Sequence, residues 1–95
     1  MGLAENIYNQ VKSILPTDDV DIAVAIIEHS VEDSKANNHP KNYSGLTIKE
    51  ITRRLSHQNM EVPPKDLQRI LGDLSMHAFI RHQRKDHYVA VSRFT

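Results

Sequence analysis

Ninety-five residues, 39% of them hydrophobic and 25% charged, suffice for one modest core and leave no room for a second. There is no cysteine, which excludes disulfides, thiolate zinc sites and cysteine nucleophiles and suits a cytoplasmic protein. The formal net charge is zero but unevenly spread: residues 1–45 hold three lysines against seven acids, a net −4, and residues 46–95 hold nine lysines and arginines against five acids, a net +4.

The basic half is the one suited to meet phosphate. Aromatic residues are few (Tyr8, Tyr43, Phe79, Tyr88 and Phe94, with no tryptophan), so the core is expected to be aliphatic. Met1 to Leu15 lacks a basic segment followed by an unbroken apolar one, so no signal peptide is expected there, and Asn6 stands where a myristoylation signal wants Ser or Thr. No apolar run approaches the ~18 residues of a membrane span.

In chain order, Leu3, Ile7, Val11 and Ile14 recur at helical spacing, widened by Ala4, Tyr8 and Leu15, and Pro16 ends this amphipathic helix. A second helix is expected from about Asp19 to Ser34. Its buried stripe is Val20, Ala23, Val24, Ile27 and Val31, with acids at its start where the macrodipole favours them. Ile22 and Ile26 form another ridge on the same helix. Two covers are open to it: the N-terminal helix of the same chain, or a second subunit. Residues 35–45 are polar and rich in turn formers, a loop somewhat long for a compact domain.

Thr47 and Glu50 then form T-x-x-E, a capping box in which hydroxyl and carboxylate each satisfy a free backbone N–H. Ile48, Ile51 and Leu55 line one face of the helix that follows, which ends between His57 and Asn59. Pro64 suits the first position of a further helix, running to about His77, with Leu67, Ile70, Leu71, Leu74 and Ala78 as its buried stripe. Lys65, Gln68, Arg69, Gly72, Asp73 and Met76 face elsewhere. The period then changes from 3.6 to 2, so residues 79–83 and 87–92 read as two strands about an Arg84-Lys85-Asp86 turn that no glycine marks.

Helices 47–57 and 64–77, joined by a tight segment, have the order of a helix-turn-helix. Ser44-Gly45-Leu46-Thr47-Ile48-Lys49-Glu50-Ile51 resembles the approach into the second helix of winged-helix proteins. Leu67-x-x-Ile70-Leu71-x-x-Leu74-x-x-x-Ala78-Phe79-Ile80 resembles their third helix running into the first wing strand, although a glycine often sits there where this chain has Ala78. Arg81 to Ser92 is similar to the wing hairpin. The resemblance covers residues 19–92 and is specific for the winged helix-turn-helix DNA-binding superfamily, not for any member. It implies an α+β, mainly α fold: a three-helix core plus C-terminal β-hairpin wing over residues 17–95, with an accessory helix in residues 1–15. Such additions often make dimers in this superfamily, which would place a homodimer contact on helix 3–15 and Ile22/Ile26.

The partner the resemblance implies is double-stranded DNA, read by helix 64–77 with wing 79–92 in a small transcriptional regulator. Lys65, Gln68 and Arg69 are chemically suited to base edges: glutamine pairs with adenine, and arginine or lysine with guanine. Gly72 lets backbone approach backbone closely. On the wing, Arg81, His82, Arg84, Lys85 and His87 suit phosphate or the minor groove, and Arg53 and Arg54 on the preceding helix suit register-setting phosphate contacts. The other reading is a protein-interaction winged helix within a larger complex. Neutral net charge, Asp66 and Asp73 beside the reading face, and Met76 favour it.

Six histidines (His29, His39, His57, His77, His82 and His87) form no H-x-x-x-H pair, and His82 facing His87 across the hairpin would supply two ligands at most. No metal or other cofactor is expected. No glycine-rich phosphate loop or nucleophile arrangement is present, so no enzyme is expected.

Overall fold

The first helix stops short of Pro16, with turns and a bend over residues 12–15 where helix was expected. A computed structural model, which describes residues 2–36 and 45–94, has α1 over Leu3–Val11 and α2 over Thr17–Ala36. The Asp19 N–H donates to the Pro16 carbonyl at 2.9 Å, which opens α2 at Thr17, two residues ahead of the expected start. Ile7, Val11 and Ile26 are wholly buried where α1 packs on α2, so Ile26 of the Ile22/Ile26 ridge is covered from within the chain while Ile22 stays partly exposed. Ile14 and Tyr8, expected in the α1 stripe, remain exposed at 43% and 45%. α2 is apolar on two sides because it packs on α1 with one and on the rest of the fold with the other. Its buried Ser30 hydroxyl is satisfied by the Ile26 carbonyl at 2.9 Å.

Most of the loop expected over residues 35–45 falls on 37–44, which lie outside the described residues. The chain continues with β1 (Leu46–Thr47), α3 (Ile48–His57), α4 (Pro64–Met76), β2 (Ile80–Arg84), β3 (His87–Ala90) and a 3₁₀ turn at Ser92–Phe94. Among the described residues the fold is therefore α+β and mainly helical, four helices against one antiparallel sheet of strand order β1-β3-β2. None of the described helices is long and apolar enough to cross a membrane. β1 was not expected. Two residues carry no alternation, and only their pairing with β3 (Leu46 with Tyr88, Thr47 with His87) makes them a strand.

The capping box forms as expected. Thr47 Oγ1 accepts from the Glu50 N–H at 3.1 Å, and Glu50 Oε1 accepts from the Thr47 N–H at 3.4 Å. Both α3 and α4 end in a left-handed residue that reverses the chain. After α3, Asn59 (φ 62°) donates to Ser56 and Met60 to Leu55. After α4, Ala78 (φ 59°) donates to Ser75 and Phe79 to Leu74 at 2.8 Å. This is the paired 6→1 and 5→2 pattern of a Schellman motif, with Phe79 and Leu74, both buried in the core, at the positions of its hydrophobic contact. Asparagine tolerates the left-handed region; alanine there costs about 1–2 kcal/mol. Ala78→Gly removes that cost while returning about 0.5–1 kcal/mol as unfolded-chain entropy. The exposed Ala78 methyl contributes little packing. We expect this variant to raise Tm by up to a few degrees in scanning calorimetry; a lower Tm would show that the methyl matters.

The hairpin corrects one pairing. A bulge between His82 and Arg84 sets His82 opposite Tyr88, with their rings stacked at 4.6 Å, and sets His87 opposite Arg84. His82 and His87 thus do not face each other, and no group of three or more potential ligand side chains among the described residues could hold a metal ion. The turn is Lys85-Asp86, with Lys85 at φ 41°. β3 stops at Ala90, short of the expected Ser92, and Phe94 folds back to stack on Phe79 at 6.2 Å. The core is largely aliphatic, with Phe79, Tyr88 and Phe94 its buried aromatics among the described residues.

Candidate nucleic-acid interface

The apolar stripe of α4 (Leu67, Ile70, Leu71 and Leu74) is at most 1% exposed, which fixes what the rest of the helix presents to solvent. At 100° per residue, the direction opposite that stripe carries Lys65, Gly72 and Met76, with Gln68 and Arg69 on either side, and all five are exposed. Asp66 and Asp73 lie along one edge. Gly72 is the centre of this face: a Cβ built there meets nothing within 4 Å.

Arg69 is not available as expected. Its Nη1 donates to Asp19 Oδ2 at 2.6 Å and its Nη2 to Oδ1 at 3.3 Å, with Asp66 3.8 Å away. Asp19 is 8% exposed, so this fork ties the start of α2 to α4 and leaves the carboxylate paired inside the fold. The hydrogen bonds it donates to Asp19, then that residue's charge, hold the Arg69 guanidinium protonated even more firmly than usual. Arg69 itself is half exposed, so water screens the pair from that side. A guanidinium committed in this way is a clamp between helices first.

Other expected contacts divide similarly. Arg54 is 3.6 Å from Asp33 of α2 and half-buried, which makes it a second tie to that helix. Arg53, Lys65, Arg81 and Lys85 are exposed and make no ion pair among the described residues. The Arg81 guanidinium donates to Gln83 Oε1 at 3.2 Å. His87 is partly buried, with Nδ1 3.4 Å from Asp86, so it offers less to a partner than expected. The side chain of Arg84 lies outside what the structure describes. His82 is held by its stack on Tyr88 and a hydrogen bond with the Lys85 carbonyl.

One basic row escaped the sequence reading. Lys49, Arg53 and His57 are all exposed on α3 at i, i+4 and i+8, a spacing that was visible in the chain but overshadowed by the Arg53-Arg54 pair. No protein-family model, curated protein or solved structure gives a significant match to this chain.

Proposed function

We propose that the chain is a winged-helix protein that binds double-stranded DNA, a small transcriptional regulator that reads the major groove with α4 and steadies itself with the β2-β3 wing. The element order α2-β1-α3-α4-β2-β3 and the strand order β1-β3-β2 support the winged-helix reading. The observation that carries the DNA reading is the outward face of α4, where exposed Lys65 and Gln68 flank a glycine with open space above it. A glycine inside a helix costs about 1 kcal/mol relative to alanine. Nothing within this fold requires that cost, whereas the close approach of a groove wall would. The major groove, about 12 Å wide, accepts a helix, and glutamine and lysine match adenine and guanine edges there. Arg69 takes no base in this reading; Lys65 and Gln68 do.

Gly72→Leu separates stability from function. Leucine is a better helix former, so Tm should rise, while its side chain should hold α4 out of the groove and cost about tenfold or more in duplex affinity, within the 1–3 kcal/mol of a good base contact. Thermal melting and fluorescence anisotropy on the same samples check both. If the stabilised variant binds duplex as tightly as the parent, α4 does not enter the groove through this face. The protein-docking reading keeps one observation in its favour: Met76 is 78% exposed on the same face.

A further inference from the structure

A groove of about 440 Å³ opens between the start of α2 and the start of α4. Its floor is apolar, formed by Ile22, Val62 and Ile70, and its rim carries Asp18, Glu61 and Asp66. Ile22 and Val62 are only partly buried, so this apolar surface still faces water. Each acid has a local reason to be near. Asp18 and Asp66 stand in first helical turns, and Glu61 accepts from the Ser56 hydroxyl at 3.1 Å. Those local roles leave most of their acceptor capacity unused. Asp18 makes no ion pair among the described residues, and Asp66 meets only Arg69, at 3.8 Å, a guanidinium already spent on Asp19. The groove thus presents four carboxylates, counting Asp19, against one committed cation. Such a field repels phosphate, so the feature does not belong to the DNA face and does not depend on the DNA reading.

We infer that this groove is a docking site for a short cationic segment of a partner protein, in which one aliphatic side chain seats on Ile22, Val62 and Ile70 while flanking lysines or arginines meet Asp18, Glu61 and Asp66. Charge complementarity selects this occupant. An anionic or purely apolar segment would leave the rim acids facing repulsion or desolvation without a partner. The volume suits one anchoring side chain with its neighbours, not a whole helix.

The test is a titration of the isotope-labelled full chain, followed by amide NMR, with three blocked five-residue peptides. The first has a leucine flanked by two lysines on each side, the second has serine in place of the leucine, and the third has glutamates in place of the lysines. The leucine–lysine peptide should shift the amides of Ile22, Val62, Asp66 and Ile70 in a saturable way. The serine peptide should bind several-fold more weakly and the glutamate peptide not at all. A Glu61→Gln/Asp66→Asn chain, altered only at exposed positions, should lose most of the response to the first peptide. Equal responses to the leucine and serine peptides would reduce the groove to a diffuse charge effect. Shifts located elsewhere, or undiminished in the variant, would overturn the assignment.

Discussion

Replacing Phe79 by alanine should cost about 3–5 kcal/mol, the range for deleting a large aromatic side chain from a packed core. The ring is 1% exposed and stacks on Phe94 at 6.2 Å, with the Arg93 guanidinium 5.1 Å from its centroid. It also completes the chain reversal that carries α4 into β2, since the Phe79 N–H donates to Leu74 and its side chain meets that residue's neighbourhood in the core. The loss therefore acts at the hinge between the helix and the hairpin. Against a total stability of about 5–15 kcal/mol for a domain, the variant should be partly unfolded at room temperature or melt far below the parent. Urea titration followed by circular dichroism measures this. A midpoint close to that of the parent would mean that Phe79 does not hold the hairpin to the helices.

The two interior glycines of the described chain should respond to alanine with opposite signs. Gly45 has φ +94°, and a Cβ on it would stand 2.4 Å from the Tyr88 carbonyl oxygen and 2.6 Å from Val89 Cγ1. The first of these is backbone of the central strand β3 and cannot step aside. Gly45→Ala should lose about 1–3 kcal/mol to the backbone conformation and about 1–3 kcal/mol more to overpacking. The damage should concentrate on β1, which has only Leu46 and Thr47 to hold it in the sheet. Amide exchange should accelerate for the β1–β3 ladder ahead of the helices. Gly72→Ala, in open space on α4, should instead gain about 1 kcal/mol. Two losses, or a Gly45→Ala chain as stable as the parent, would contradict this account of why each glycine is there.

What could be read from the chain followed from what is local. The Thr47/Glu50 capping box, Pro64 at a helix start and the stripe Leu67, Ile70, Leu71 and Leu74 of α4 are all set within a few residues and stand in the structure where the spacing put them, whereas Ala78, read into that stripe, is exposed beyond the helix end. The outward face of α4 was legible for the same reason: a helical period that names the buried side also names the other. What escaped was decided at a distance. β1 exists only because β3 lies beside it. The two Schellman endings use Asn59 and Ala78, so no glycine announced them. The bulge that turns His82 away from His87 has no signature in the hairpin sequence. Most consequential for the site, Arg69 reads as one more exposed cation on its helix, and only Asp19, fifty residues earlier, makes it a clamp.

The central claim is that this chain holds duplex DNA through phosphate contacts around α4 and the wing. The most direct measurement is fluorescence anisotropy with a random-sequence duplex, titrated from low to physiological salt. Four exposed cations that make no ion pair among the described residues (Lys49, Arg53, Arg81 and Lys85), each meeting one phosphate, predict that log affinity falls linearly with log salt, with a slope of about −3 to −4. Lys85→Ala should reduce that slope by about one. No binding at the lowest salt, or binding indifferent to salt, would contradict the claim and leave the fold as a platform for protein partners.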